Sequence, residues 1–165
     1  MIQNEKTRRL VLAAMFCALT FLGTCLAVPA PVVGNLNFGD GVLLICAWTL
    51  GLPWGLAAAV GAALSDFALG YSIYIPATLV IKALMVVTAV LLRRILSAAP
   101  LPRLLPKIGS AVCAELVMAA GYYLYESLVV LGSFQAALAN IPFNLIQALF
   151  AVILSCVITA RERKA

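Results

Sequence analysis

Residues 76–92 read PATLVIKALMVVTAVLL, an apolar run with one charge, Lys82, and with Arg93 and Arg94 directly behind it. A helix of this length nearly crosses the hydrocarbon core of a bilayer, which is about 30 Å thick. The whole chain has this character, because 65% of its 165 residues are hydrophobic and 10% are charged. In ordinary globular domains, about 45–50% of the residues are hydrophobic and about 25% are charged. The sequence therefore excludes a water-soluble domain and predicts a membrane protein.

Six apolar runs of this kind predict an all-α membrane protein with a single domain. Backbone groups in hydrocarbon need internal partners, and runs without polar and apolar alternation favour transmembrane helices over a β-barrel. The two runs around Pro53 are short, so they form either two spans or one re-entrant hairpin. The predicted spans cover about residues 10–28, 41–52, 55–69, 76–92, 110–131 and 141–160.

The positions of Lys and Arg predict the orientation, because short cytoplasmic loops carry an excess of these residues. The connections near residues 29–40, 70–75 and 132–140 contain neither, so we expect them outside. Both termini are then cytoplasmic, and the net charge of +5 is an orientation signal rather than a nucleic-acid patch. Ten of the eleven basic residues form three groups: Lys6, Arg8 and Arg9; Arg93, Arg94, Arg103 and Lys107; and Arg161, Arg163 and Lys164.

Missing residue types exclude several chemistries. The chain has no histidine, which removes the usual zinc ligand, the usual general base and any Ser/His or Cys/His pair. It also lacks a GxxxxGK[ST] phosphate loop. We therefore predict no catalytic residue, no metal site and no cofactor, and a small membrane enzyme is disfavoured. The cysteines lie in apolar runs without CxxC spacing and are interpreted as buried small residues: Cys17, Cys25, Cys46, Cys113 and Cys156.

Polar side chains lie at similar depth inside four of the predicted spans. A charge inside a span costs about 2.5–3.5 kcal/mol on insertion scales, so each one needs a partner or a purpose. From the rise of a helix, the exterior end of the span lies within about 10 Å of each of these residues: Asp66, Lys82, Glu126 and Gln147. We expect them to meet in a pocket that opens outward.

Two of the spans carry polar stripes. Each stripe has three residues at helical spacing, so its members share a helix face. The stripes are Asn140, Asn144 and Gln147, at steps of four and three, and Glu115, Tyr122 and Glu126, at steps of seven and four. A stripe that faced lipid would leave its polar groups unpaired, so both stripes are expected to face inward. Glu115 lies much deeper on its span, and we expect it to be structural and distant from the others.

Each of these polar residues also has a structural interpretation. Lys82 can pair with Asp66 or Glu126 to hold helices together. Asp40 can cap a helix as readily as it contacts a ligand. The tyrosines of the 70–75 connection can belong to an aromatic belt at the membrane interface.

Small residues recur at intervals of four on two spans. Ala14 and Ala18 form one such pair, and Ala57, Gly61 and Ser65 form a second series. Small residues at this spacing allow two helices to approach closely. Spacing alone favours packing inside the protein over docking of another subunit.

Four stretches in this order resemble the substrate-binding S-components of energy-coupling factor (ECF) transporters, in particular the riboflavin-transporter-like branch. The resemblance implies a multi-pass protein of the bacterial plasma membrane that captures a vitamin or vitamin precursor from outside. The stretches are GNLNFGD at 34–40, the Gly51-Leu52-Pro53 turn, SDFALGY at 65–71 and YIPATLVIK at 74–82.

The resemblance also implies partners. The AxxxA element of the family matches Ala14 and Ala18, and in the family it contacts a transmembrane coupling subunit. That subunit works with two cytoplasmic ATPases, which is consistent with the missing phosphate loop. The loop after the first helix covers the pocket in the family, and this would place residues 35–40 over the ligand.

We therefore expect a non-enzymatic capture subunit for a small planar ligand such as riboflavin, a pyridoxine-type compound or a hydroxymethylpyrimidine. Asn144 and Gln147 are assigned to the site by geometry and not by resemblance. The alternative is a stand-alone proton-coupled or facilitative solute carrier, because intramembrane carboxylates can relay protons. The expected binding residues are Asn35, Asn37, Asp40, Tyr71, Tyr74, Lys82, Glu126, Asn144 and Gln147.

Overall fold

The computed structural model describes residues 2–30, 32–33 and 35–160, and this part of the chain is almost entirely helical. The predicted basic group of Arg161, Arg163 and Lys164 lies outside the described residues. The helices are α1 (Ile2–Cys25), α2 (Gly39–Leu50), α3 (Ala57–Ala68), α4 (Ile75–Ser97), α5 (Leu104–Tyr125), α6 (Phe134–Leu138) and α7 (Ile141–Thr159).

Within the described residues, four helical segments are long and apolar enough to cross a membrane. They establish a multi-pass helical protein. α2 and α3 are also apolar, but each has 12 residues and spans about 18 Å, less than the hydrocarbon core. The count of six spans and the cytoplasmic position of both termini therefore stay predictions. The four long segments are Asn4–Cys25, Ser72–Ser97, Leu104–Val130 and Phe134–Thr159.

The connection after α1 forms a small β-hairpin. The predicted first span reached Val28, but strand β1 (Ala27–Pro29) begins just after α1 and pairs antiparallel with β2 (Asn35–Asn37). The predicted boundary was wrong because a residue that precedes proline disfavours the helical conformation. The backbone N–H of Phe38 donates to the carbonyl of Gly23 at 3.1 Å, which holds the hairpin against the end of α1.

α4 and α5 extend beyond their predicted spans. Arg93 and Arg94 were expected to end the fourth span, yet α4 continues to Ser97. Long arginine side chains can keep their charged ends in water while their stems lie along the helix, so they need not end it. α5 begins at Leu104 and continues as a π-helical turn over Glu126–Val130.

α2 lies at the centre of the bundle, packed against α1, α4 and α7. Its Leu43 and Leu44 are fully buried, as is Met85 of the neighbouring α4. A helix that is apolar all round is typical of a buried position. Because α2 begins directly after the hairpin, its first turn carries Asp40 into the interior.

α1 and α3 approach each other closely at a glycine. A Cβ atom added to Gly61 would lie 2.2 Å from the carbonyl oxygen of Cys17. Ser65, one turn further along α3, is also buried. Ala14 and Ala18, in contrast, are exposed on α1. The series on α3 is therefore used in internal packing, whereas the pair on α1 remains accessible to a partner.

Replacing Gly61 by valine should destabilise the protein, because the new side chain has to displace the backbone of α1. Overpacking of this kind typically costs about 1–3 kcal/mol. We expect a lower midpoint of thermal unfolding in detergent, measured by circular dichroism. Val60→Leu, at the adjacent exposed position, is the control and should unfold like the wild type. A Gly61→Val protein of unchanged stability would contradict the close approach of the two helices.

Candidate functional site

A buried ion pair lies at the centre of the polar residues. The ammonium of Lys82 on α4 contacts the carboxylate of Asp40 on α2, and both side chains are 1% exposed. The Nε2 atom of Gln147 on α7 donates to the other oxygen of Asp40 at 2.5 Å. The structural interpretation of Lys82, the alternative to ligand binding, named Asp66 or Glu126 as its partner. Those partners are wrong, because the first turn of α2 brings the carboxylate of Asp40 closer.

Strand β2 is joined to this cluster through Asn37. The backbone N–H of Asn37 donates to Oε1 of Gln147 at 2.8 Å, and its Nδ2 donates to Oδ1 of Asn35 at 3.0 Å. Its own Oδ1 accepts from the N–H of Gly39 at 3.0 Å, at the start of α2. The alternative of Asp40 as a helix cap is therefore wrong. Phe38 is at the N-cap position, and the carboxylate is used in the ion pair.

Glu126 has its own set of partners at the end of α5. One of its oxygens accepts from Nδ2 of Asn140 at 2.9 Å, and the other from the hydroxyl of Tyr74 at 3.4 Å. The same Nδ2 also donates to the carbonyl of Val33, in the segment between the two strands, at 2.9 Å. Glu126 thus links α5 and the start of α7 to the hairpin.

Aromatic rings form one wall of the site. The ring centroid of Tyr74 lies 6.2 Å from that of Tyr71, 6.4 Å from that of Tyr122 and 5.7 Å from that of Tyr125. Tyr74 is 6% exposed, so it does not belong to an interfacial belt. The Lys82 ammonium lies 5.3 Å from the centroid of the Tyr122 ring, within range of a cation–π interaction.

These groups surround a polar pocket beneath the hairpin, and eight of the nine expected residues line it. The ninth, Asp40, lies behind Lys82 and Gln147. The space open at its centre is about 30 Å³, which is room for a single water molecule. The expected residues in the lining are Asn35, Asn37, Tyr71, Tyr74, Lys82, Glu126, Asn144 and Gln147.

Sequence reasoning left four polar residues of the lining out of the expected set. Thr78 and Tyr122 share helix faces with Lys82 and Glu126, so their spacing was a usable signal; their hydroxyls lie 3.0 Å apart. Asp66 was expected at the same depth as Lys82 but was not among the expected binding residues. Thr24, at the end of α1, had no signal beyond being a polar residue in an apolar helix.

Three buried atoms of the lining have no hydrogen-bond partner among the described residues. They are Oδ2 of Asp66, Nδ2 of Asn144 and the hydroxyl oxygen of Thr24, which are an acceptor, a donor and a group that can do either. A buried polar group left without a partner destabilises a protein by about 1–3 kcal/mol. Such groups need an explanation, and inside a polar pocket a bound ligand provides one.

Glu115 lies below the pocket and differs from expectation. It was expected to be distant from the other polar residues, yet it interacts electrostatically with Asp40 and Lys82. Both of its oxygens are buried without a hydrogen-bond partner among the described residues. Asp40 was expected in the exterior connection, but the first turn of the central helix α2 carries it into the interior. In the described part of the chain, no three potential metal ligands come together.

An apolar helical bundle with a polar pocket at one end is typical of a membrane transport component. The family model for the S component of the ECF-type riboflavin transporter matches residues 4–164. The chain therefore belongs to that family, a class of transporter components and not of enzymes.

A solved structure reported as "Structure and mechanism of the S component of a bacterial ECF transporter" has the same fold. It matches with a TM-score of 0.77 over 94% of this chain and 95% of that chain, at 22% sequence identity. No curated protein matches the chain.

Removing one partner of the central ion pair should be more harmful than removing both. Breaking a buried pair typically costs about 3–5 kcal/mol, because it leaves an uncompensated charge. Lys82→Met should therefore lower the thermal midpoint strongly, and the Asp40→Asn/Lys82→Met double variant should recover most of the loss. The asparagine keeps an acceptor for Gln147.

The exposed pair between Glu5 and Arg8, at 3.6 Å, provides the control. Arg8→Gln should change the midpoint little, because exposed pairs contribute about 0–1 kcal/mol. Equal stability of the single and double variants at the central pair would contradict the buried ion pair.

Proposed function

We propose that the chain is the substrate-capture subunit of an ECF-type importer in the bacterial plasma membrane, where it binds a vitamin or vitamin precursor from outside. Family membership supports the class of protein. Riboflavin is the first candidate ligand because the matching family is a riboflavin transporter family. Pyridoxine-type and hydroxymethylpyrimidine-like rings offer the same planar, polar chemistry.

The observation that carries the proposal is the unpaired acceptor and donor in one pocket. Oδ2 of Asp66 and Nδ2 of Asn144 line the same space and lack partners among the described residues. A planar ring with N–H and carbonyl groups along its edge offers both a donor and an acceptor. Binding such a ligand would satisfy both atoms. The free energy that the unpaired groups cost the free protein would then be recovered as affinity for the ligand.

Lys82 contributes a charged donor without giving up its ion pair. An ammonium group has three N–H donors, and the described contacts use one of them for Asp40. A remaining N–H can donate to a carbonyl or ring acceptor of the ligand, in a charge-assisted hydrogen bond. The rings of Tyr71 and Tyr74 lie on the same pocket and supply aromatic faces for stacking.

Ligand entry requires the hairpin to move. A drug-sized ligand needs a pocket of about 300–1,000 Å³, and the open space here is about 30 Å³. The hydrogen bond from Asn37 to Gln147 joins the hairpin to the cluster, so its opening is the simplest way to enlarge the pocket. The released Oε1 of Gln147 can then accept a hydrogen bond from the ligand. Residues 35–40 thus act as the cover of the site.

Transport further requires the partners of the ECF class, a transmembrane coupling subunit and two cytoplasmic ATPases. Ala14 and Ala18 are exposed on α1 and present a surface of small side chains to the lipid. Small residues allow close contact with a helix of another subunit. We assign this surface to the coupling subunit.

Asn144→Leu should separate binding from stability. The change removes an unpaired donor and keeps a similar volume, so we expect an unchanged or higher thermal midpoint. Riboflavin affinity, measured by quenching of flavin fluorescence, should fall at least tenfold. Gln135→Leu, an exposed amide on α6, is the matched control and should leave affinity unchanged.

Full riboflavin affinity in the Asn144→Leu variant would contradict the assigned role of this residue. If the wild-type protein does not bind riboflavin, mass spectrometry of the small molecule that co-purifies with it identifies the vitamin instead.

Ala14→Phe/Ala18→Phe should abolish transport but not capture. Phenylalanine side chains would keep a coupling helix at a distance, while the pocket lies elsewhere. We expect riboflavin binding to be retained and ATP-driven uptake into proteoliposomes with all partners to fall at least tenfold. Leu19→Phe, on the exposed surface of the same helix, is the control. Uptake driven by a pH gradient through this chain alone would instead favour the solute-carrier alternative.

A further inference from the structure

A second concave site lies at the other end of α2 from the polar pocket. We name it the basic groove. It is an open groove of about 610 Å³ between α1, the end of α2 and the end of α4. Its lining is Arg9, Ala47, Trp48, Thr49, Leu50, Gly51, Val90, Arg93, Arg94, Ser97 and Ala98.

The groove carries three guanidinium groups and, among the described residues, no carboxylate in its lining. Arg93 is fixed, because its Nη1 donates to the carbonyl of Trp48 at 2.8 Å and its guanidinium lies 5.8 Å from the Trp48 ring. Arg94 reaches towards Gly51, where an added Cβ atom would be 3.8 Å from its Nη2. Arg9 faces them from α1.

Two of these charges are uncompensated. Arg9 and Arg94 are exposed, and neither has an ion-pair partner in the part of the chain that the structure describes. Glu5 carries a carboxylate near Arg9 on α1, but this carboxylate pairs with Arg8. Guanidinium groups bind phosphate oxygens in a bidentate manner and favour recognition of such anions.

Exposed apolar residues are close in sequence to the arginines of the groove on both α1 and α4. Leu10 and Val11 follow Arg9 on α1 and are 59% and 53% exposed, and Leu91 and Ile95 flank the arginines of α4 at 46% and 66%. Acyl chains can pack against these side chains while a headgroup lies in the groove. This continuity of apolar surface with a basic groove favours a phospholipid over a soluble anion.

We propose that the basic groove binds the headgroup of an anionic phospholipid from the cytoplasmic leaflet, with its phosphate between Arg9 and Arg94. The site is separate from vitamin capture, because the polar pocket and the groove lie at opposite ends of α2. Arg93 stays in contact with Trp48 and forms the floor of the basic groove. A lipid held here would join the ends of α1 and α4.

Native mass spectrometry with added dioleoyl phosphatidylglycerol or dioleoyl phosphatidylcholine tests the proposal. The wild-type protein should retain phosphatidylglycerol at least tenfold more strongly than phosphatidylcholine of the same chain length. Arg9→Gln/Arg94→Gln should lose this preference. Arg103→Gln, an exposed arginine outside the groove, should keep it. Far-UV circular dichroism checks that each variant is folded.

Three outcomes would overturn the proposal. The first is equal retention of the two lipids by the wild-type protein. The second is an unchanged preference in the folded double variant. The third is full competition by inorganic phosphate or by an acidic peptide at millimolar concentration, which would assign the groove to a soluble anion or to an acidic protein segment. Loss of riboflavin binding has no bearing on these results.

Discussion

The ion pair between Asp40 and Lys82 is the constraint on which the rest of the site depends. Both side chains are almost fully buried, so each charge is compensated mainly by the other, with a further hydrogen bond to Asp40 from the amide of Gln147. Such a pair contributes little net stability, because desolvation offsets the Coulomb attraction. Its effect is to fix the start of α2 against α4 and α7, which places the ammonium at the base of the pocket.

The polar groups around this pair divide into those that are satisfied and those that are not. Glu126, Asn37 and Gln147 have partners that close the hairpin over the pocket. Asp66 and Asn144 each keep an atom without one among the described residues. Proteins often sacrifice stability at functional sites. In the proposed function, the satisfied groups form the cover that opens and the unsatisfied ones form the interior that a ligand stabilises.

The sequence was sufficient to select most residues of the pocket lining but not to predict which of the polar side chains pair with each other. Helical rise placed Lys82 and Gln147 at one level, and the structure brings them together. Periodicity could not select Asp40, which is 42 residues from Lys82, because the choice among several carboxylates depends on how α2 packs. Strands β1 and β2 have three residues each, which is too short for the sequence to show an alternation of polar and apolar residues. Glu115 was kept apart from the site by its depth along the helix; it does not line the pocket, but it interacts electrostatically with Asp40 and Lys82.

A structure of the protein in complex with riboflavin tests the account most directly. We predict that the ring edge lies between the Lys82 ammonium and the Asn144 amide. We also predict that the hydrogen bond between Asn37 and Gln147 is broken and that the hairpin is displaced. Ligand density outside the polar pocket, or a bound ligand with that hydrogen bond intact, would contradict the account.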